Sequence, residues 1–298
     1  MSLDPVGSLL AAVVVLLIGT LLNRSVPFLS KYNIPDPITG GLLFAVCAAV
    51  VLAATGFKLD VNQTIKPVLL LMFFAGVGLC ADLRLLKQGG KALAIFLLVL
   101  FPYILVQNGV GVSVAMALDL HPIFGLVGGS ITLVGGHGTG AAYAERFSEV
   151  NNLQSVMELS MTAATIGLII GGIIAGPVAQ YLISKYKVQT GTAAGAGSAG
   201  RAEAALPITT VGVIGSLAGI FTAVVAGQWL AAKIPSGAIT IPSFLWCMII
   251  GVAIRNLVPF AGIRCDDRAS DLISGVCLSL FLVMTMMALD LEIGRAHV

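Results

Sequence analysis

Long apolar runs separated by short polar or glycine-containing turns dominate this sequence. A helix needs about 20 mostly apolar residues to cross the hydrocarbon core of a bilayer, with a lower limit near 17. Residues 184–206 contain GTAAGAGSAG and are predicted to form a solvated cytoplasmic linker between two halves. The runs predict membrane-spanning helices at 5–22, 38–55, 67–80, 92–118, 156–183, 208–232, 241–257 and 272–289.

The composition indicates that lipid is the solvent for most of the chain. Of its 298 residues, 58% are apolar and 10% are charged, and the mean hydropathy is +1.02. Soluble domains carry about 25% charged residues, so a soluble protein this apolar could not cover its own surface. We therefore expect an all-α polytopic membrane protein. A net charge of +2 without a basic block argues against nucleic acid as a partner.

One apolar run, residues 121–142, is too rich in glycine for a stable membrane-spanning helix. It holds seven glycines in 22 residues, and each interior glycine costs a helix about 1 kcal/mol relative to alanine. The run either crosses the membrane or enters it and returns. Irregular backbone at that depth is tolerated only inside protein or beside a water-filled cavity, so a re-entrant hairpin would indicate a transport site.

The distribution of lysine and arginine favours the re-entrant hairpin. With the N-terminus outside and 121–142 re-entrant, the cytoplasmic loops hold 11 of these residues and the outer loops hold 4. If the run crossed, 7 of these residues would be cytoplasmic and 8 would lie outside. That distribution lacks the usual excess of positive charge on the cytoplasmic side. The outer four are Lys58, Lys66, Arg146 and Lys233.

Two short sequence similarities predict an inverted repeat whose second copy is incomplete. Ile34-Pro35 corresponds to Ile241-Pro242, and the residues around Asp82 resemble those around Asp290. Five crossings, an odd number, separate equivalent elements, so the copies would be inverted, as in many secondary transporters. The repeats are predicted at 1–183 (five spans plus the hairpin) and 207–291 (three spans). Residues 292–298 back-translate into a sequencing-library adaptor and are expected to be a non-native tail.

The hairpin carries the most specific chemistry in the sequence. Two half-helices are expected to meet at its glycines, where backbone N–H groups would face an anion and unwound carbonyls could hold a desolvated Na⁺. His137 would contact substrate, carry a coupling proton or only brace the hairpin. The alternative is that the glycines merely allow close helix packing. The predicted site comprises Ser130, Thr132, Gly135, Gly136, His137, Gly138, Thr139 and Gly140.

Polar residues on the neighbouring spans are candidate supports for the hairpin. Gln107 and Asn108 lie near the middle of the fourth span, where an amide is costly unless it faces the bundle interior. Glu158 and Thr165 follow the hairpin on the fifth span. For Glu158, a solvated or helix-start carboxylate is the competing interpretation. Asp82 is expected to be a solvated cytoplasmic charge in a loop.

Enzyme chemistry is not indicated. The letters GGHGTG superficially resemble a phosphate-binding or oxyanion loop, but no GKS/T ending and no GxSxG motif accompany them. The five cysteines have no metal-ligand spacing. A transporter or an ion channel with a re-entrant pore loop remains.

The sequence SITLVGGHGTGAA at 130–142 closely resembles the first pore-loop motif of the sodium/glutamate symporter family. Val134 departs from that motif, since serine is common at its position. The resemblance extends along nearly the whole chain, through IPDPITGGLL (34–43), FFAGVGL (73–79), GGIIAGPVAQYL (171–182) and LSLFLVM (278–284).

This resemblance implies sodium-driven uptake of L-glutamate across the bacterial inner membrane by alternating access. It implies ten spans in two inverted halves, each with a re-entrant hairpin, with Na⁺ as coupling ion and no covalent cofactor. The second hairpin has no counterpart in this sequence, so half of the binding site is expected to be missing. The expected partners are L-glutamate, Na⁺ and the lipid bilayer, with a homodimer as an option. A Na⁺- or H⁺-coupled symporter of another carboxylate is the nearest alternative.

Overall fold

The computed structural model describes residues 3–27, 29, 34–57, 60–151, 153, 155–186, 208–234, 241–261 and 266–288, and these are almost entirely helical. One segment, Val127–Ile131, is π-helical, and a 3-10 turn comprises Val258–Ala261. The helices are α1 (Pro5–Ser25), α2 (Asp36–Thr55), α3 (Lys66–Leu79), α4 (Leu83–Ala117), α5 (Pro122–Leu126), α6 (Gly136–Asn151), α7 (Val156–Tyr186), α8 (Thr210–Lys233), α9 (Ser243–Leu257) and α10 (Asp267–Met287).

Each of the eight predicted spans corresponds to an apolar helix, but not all are long enough to cross a bilayer. Among the described residues, six helices have the required length and composition, namely α1, α2, α4 from Gln88, α7, α8 and α10. Helices α3 and α9 have 14 and 15 residues, which at 1.5 Å per residue gives about 21–23 Å against a core of about 30 Å. Helix α7 continues to Tyr186, so the predicted linker begins later than 184. Residues 187–206 and the predicted tail at 292–298 lie outside the described residues.

Side-chain caps fix where several helices begin. The first turns of a helix have N–H groups without partners, which a short polar side chain can accept. Asp4 accepts from the N–H of Gly7 at 3.2 Å, and Thr209 accepts from that of Gly212 at 3.0 Å. Asp266 caps α10 in the same way through the N–H of Ala269.

Asp82 is not the solvated loop charge that the sequence suggested. It caps α4, which begins directly after it, and it accepts hydrogen bonds from the N–H and the Nε of Arg84. The hydrogen bond from the Arg84 side chain lowers the pKa of the Asp82 carboxyl. Arg255 at the end of α9 lies 3.5 Å from Asp82 and donates to Asp267 at 2.7 Å. The expected loop is therefore a helical start anchored to the ends of α9 and α10.

Helices α1, α2, α3, α8, α9 and α10 pack together, and we call them the six-helix group. Helix α3 contacts α8, α9 and α10, while α10 also contacts α1, α2 and α8. Small residues permit the closest approaches, as is common between helices in membranes. A Cβ on Gly78 of α3 would lie 3.0 Å from the backbone nitrogen of Val252 in α9 and would also meet the carbonyl of Met248.

Helices α4 to α7, with the π-helical segment, form a second set, the hairpin group. Helix α6 packs on α7, and the π-helical segment contacts α4, α5, α6 and α7. The two groups meet along α6, which contacts α10. Lys66 of α3 and Glu145 of α6 form an ion pair of 3.1 Å there, and the rings of Tyr143 and Phe244 lie edge to face at 5.4 Å.

Replacing Gly78 by alanine should destabilise the six-helix group, because the added Cβ meets backbone atoms of α9 that cannot turn aside. Overpacking of this kind costs about 1–3 kcal/mol. The matched control is Gly215→Ala in α8, where a Cβ would meet nothing within 4 Å and helix propensity favours alanine. Thermal unfolding in detergent should show a lower midpoint for Gly78→Ala alone. Equal midpoints would contradict the packing described here.

Candidate functional site

The glycine-rich run forms two helical pieces that meet at Val134-Gly135. The first piece comprises α5, the π-helical segment and a further helical turn through Leu133, and α6 begins at Gly136. Gly136 has φ +73°, a conformation that a side chain disfavours. The sequence predicted half-helices meeting at glycines, and the described break lies among them. Helix α6 runs to Asn151, beyond the predicted end of the hairpin at 142.

The backbone before the break departs from α-helical geometry. Gly129 has φ −95° and ψ −127° inside the π-helical segment. The hydroxyl of Thr132 donates to the carbonyl of Val127, five residues earlier, at 2.7 Å. The N–H groups of Val134 and Gly135 both donate to the carbonyl of Ser130, at 3.0 and 3.2 Å. Such π-helical insertions occur often at functional sites, since they redirect carbonyls away from the regular ladder.

Opposite helix ends meet at this break. The carbonyl end of the first piece carries partial negative charge, and the N–H end of α6 carries partial positive charge. Thr139 lies against the same turn, since a Cβ on Gly135 would be 2.7 Å from the Thr139 Cβ. One short stretch of chain therefore offers carbonyl oxygens to a cation and N–H groups to an anion.

His137 and Thr165, both singled out from the sequence, are in contact. The Nε2 of His137 lies 3.1 Å from the Oγ1 of Thr165, and that hydroxyl donates its proton to the carbonyl of Met161 at 2.8 Å. A hydroxyl has one proton, so Nε2 is the donor in the contact with Thr165. The neutral ring then has Nδ1 as its acceptor. This arrangement fixes the first turn of α6 to α7.

The amides of α4 lie beside the first piece of the hairpin. The Oδ1 of Asn108 accepts from the N–H of Ser130 at 3.2 Å. The Oε1 of Gln107 is buried and has no hydrogen-bond partner. A buried amide oxygen without a partner is costly, so this position is energetically unfavourable in the structure as it stands. The expectation that both amides face the bundle interior agrees with these positions.

Two of the predicted site glycines serve close packing. A Cβ on Gly138 would lie 2.8 Å from the ring of Phe73 in α3, and one on Gly140 would lie 2.6 Å from the hydroxyl of Ser160 in α7. Both glycines are buried, whereas Gly135 is exposed at the break. The packing alternative therefore describes Gly138 and Gly140, while Gly135 and Gly136 form the turn itself.

Glu158 lies in the first turn of α7, the helix-start position that the competing interpretation gave it. Sequence reasoning missed Ser160, two residues later. Its side chain is fully buried, and its hydroxyl has no hydrogen-bond partner. The signal in the sequence was a group of three hydroxyl residues, Ser160, Thr162 and Thr165, on a mostly apolar helix.

A cavity of about 710 Å³ lies on the open side of the break, between α4 and α7. Its wall is mainly apolar, and Gln107 contributes the unpartnered amide described above. Among the described residues, no group of three His, Cys, Asp or Glu side chains could hold a metal ion. The break contributes Gly128, Leu133 and Val134 to this cavity, and α7 contributes Thr162 and Gly167.

Comparison with known proteins agrees with the sequence resemblance. A family model described as sodium/glutamate symporter matches residues 1–293. The sodium/glutamate symporter of Escherichia coli (strain K12) is 37% identical in an alignment over 298 residues, gaps included, and the alignment covers 97% of this chain and 73% of that protein. The one from Haemophilus influenzae is 35% identical over 292 residues, with 95% and 72% coverage. The chain therefore belongs to the sodium/glutamate symporter family.

Proposed function

We propose that this protein is a secondary active transporter, not an enzyme, which couples the uptake of L-glutamate to the entry of Na⁺ by alternating access. Membership of the family supports glutamate as substrate and Na⁺ as coupling ion. The two relatives, whose alignments cover 97% and 95% of this chain, are both named sodium/glutamate symporter. The six long apolar helices support a multi-pass membrane protein. The bacterial relatives support a location in a bacterial inner membrane, and the excess of lysine and arginine in the predicted cytoplasmic loops supports an N-terminus outside.

The observation that carries the site is the helix break at Val134-Gly135. We assign Na⁺ to carbonyl and hydroxyl oxygens at the end of the first piece, with Ser130, Thr132 and Thr139 nearby. The substrate carboxylate would lie at the N–H groups that begin α6. Since the Nε2 proton of His137 is directed to Thr165, Nδ1 would accept a hydrogen bond from the substrate ammonium. Gln107 would be satisfied by the same ligand or its water.

The two limbs of this site form a re-entrant hairpin in our proposal. The first limb is held to α4 by close backbone contact, since a Cβ on Gly125 would lie 2.6 Å from the Cα of Val112. The second limb is held by α7 and by Phe73 of α3. These contacts cover one side of each limb, whereas Leu133, Val134 and Gly135 between the limbs are exposed. In our proposal the cavity between α4 and α7, rather than lipid, faces this irregular backbone.

We also propose that the six-helix group consists of two copies of one three-helix unit, α1–α2–α3 and α8–α9–α10. Buried positions of α1 and α8 fall in the same register. The residues buried in α1 at 8, 12, 15 and 19 correspond to those buried in α8 at 216, 220, 223 and 227, each 208 positions later. The similarities at offsets 207 and 208 in the sequence have the same spacing.

Contacts between the copies are reciprocal. Gly41 of α2 abuts Met286 of α10, and the equivalent pair, Met248 of α9 and Gly78 of α3, is also in contact. Within each copy, Ser8 accepts from the N–H of Asn62 at 2.9 Å, while Ser216 accepts from the hydroxyl of Ser270 at 3.0 Å. Reciprocal packing of this kind is what a two-fold axis generates. Because an odd number of predicted crossings separates the copies, we propose that this axis lies in the membrane plane, so that the two copies have opposite orientations. A homodimer stays a prediction.

Reconstituted protein should accumulate labelled L-glutamate against its gradient only when Na⁺ is higher outside the vesicle. Replacing external Na⁺ by K⁺ should abolish accumulation, because the coupling ion then supplies no driving force. Flux that equilibrates but never accumulates would indicate a channel. If another unlabelled carboxylate suppressed this accumulation at a lower concentration than unlabelled glutamate, that carboxylate would be the preferred substrate.

Thr165→Val should lower the ratio of maximal rate to KM for glutamate by roughly three- to tenfold, the value of one hydrogen bond. The change removes the acceptor for the His137 Nε2–H and leaves that proton without its partner. Thr162→Val, on the same helix at the cavity, is the control, since it removes a hydroxyl away from the His137–Thr165 contact. Equal effects of the two substitutions would show that the contact does not orient His137.

A further inference from the structure

The first copy of the three-helix unit holds a carboxylate at the start of α2. Asp36 is the first residue of that helix, directly after Pro35. One of its oxygens accepts from the hydroxyl of Thr20 at 2.7 Å, and the other accepts from the amide of Asn23 at 2.6 Å. Asn23 in turn accepts from Thr39 at 2.9 Å. The chain thus fills this position with its own negative charge, beside the N–H end of α2.

In the second copy, the corresponding helix positions carry other side chains and no carboxylate. Helix α9 begins at Ser243 directly after Pro242, so Ser243 is in the position of Asp36. Gln228 stands 208 positions after Thr20, and Ala231 stands 208 positions after Asn23. The substitution of aspartate by serine and of asparagine by alanine removes both a charge and volume.

A cavity of about 390 Å³ lies at this position, within the range of ligand pockets. Gln228, Ala231 and Ser243 line one side. Helix α6 forms the opposite side with two carboxylates and an arginine. Glu145 is paired with Lys66 at 3.1 Å, and Arg146 lies 4.0 Å from Glu149.

Building on the proposed transport of glutamate, we propose that this cavity is an entry site for a free amino acid, whose carboxylate takes the place that Asp36 fills in the first copy. Gln228 and Ser243 supply hydrogen-bond donors, and Arg146 supplies positive charge. The acidic wall suits the ammonium group of the same molecule, which a simple anion would lack. Ala142 also lines the cavity and lies one turn after Thr139 in α6, so the entry site adjoins the hairpin.

The test places a fixed carboxylate in the cavity with Ser243→Asp. Sodium-driven glutamate uptake by the full protein in vesicles should show KM raised about tenfold or more, because a like charge already occupies the site. The control Thr64→Asp adds a carboxylate at an exposed turn before α3, outside the cavity. A KM for Ser243→Asp equal to that of the control, or a loss confined to the maximal rate, would overturn the proposal.

A second pair of variants covers the case in which Ser243→Asp does not insert. Arg146→Gln should raise KM, whereas Lys233→Gln, which removes a cation outside the cavity, should not. Equal KM values for these two variants would likewise overturn the entry site. Absence of sodium-dependent glutamate uptake by the unmodified protein would instead refute the proposed function, so the two failures are distinguishable.

Discussion

A break in a helix at membrane depth is tolerated only where protein replaces the hydrogen bonds and the apolar cover that a regular helix would have. Around the break at Val134-Gly135, neighbouring side chains supply hydrogen bonds to the irregular backbone. Asn108 of α4 accepts the N–H of Ser130, and Thr132 returns its own hydroxyl to the carbonyl of Val127. Helix α7 contributes Thr165, which holds His137. These contacts hold both sides of the break, while Val134 and Gly135 themselves are exposed.

The six-helix group answers a different requirement, since lipid provides no hydrophobic force to bring apolar helices together. Its helices approach through glycines that admit a neighbour's backbone. Gly19 lies against Gly40, and Gly227 lies against Cys247 at the equivalent contact. Gly227 stands 208 positions after Gly19, and Cys247 stands 207 positions after Gly40. In the proposed repeat, contacts that need this closeness would preserve the register even where the side chains differ between the two copies.

Elements of the fold that depend on local pattern could be predicted from the sequence. The eight apolar runs became helices, and the glycines marked where the chain breaks. The packing partner of Gly138 could not be predicted, since its contact with Phe73 joins residues 65 positions apart in the chain. The same holds for Asp82, whose partner Arg255 lies on α9, and for the buried hydroxyl of Ser160. Each depends on which helix packs opposite, and periodicity does not specify that.

The two ligands of the proposed site also constrain each other physically. A desolvated cation at the carbonyl end of the break and a carboxylate at the N–H end would be a few ångströms apart, in surroundings where charges are weakly screened. Binding of Na⁺ offsets part of the cost of burying the carboxylate, and by reciprocity glutamate raises the affinity for Na⁺ to the same degree. A site built from opposite helix ends therefore couples the ions without a charged side chain at its centre. His137, oriented by Thr165, fits such a site because it adds a hydrogen-bonding group next to the start of α6.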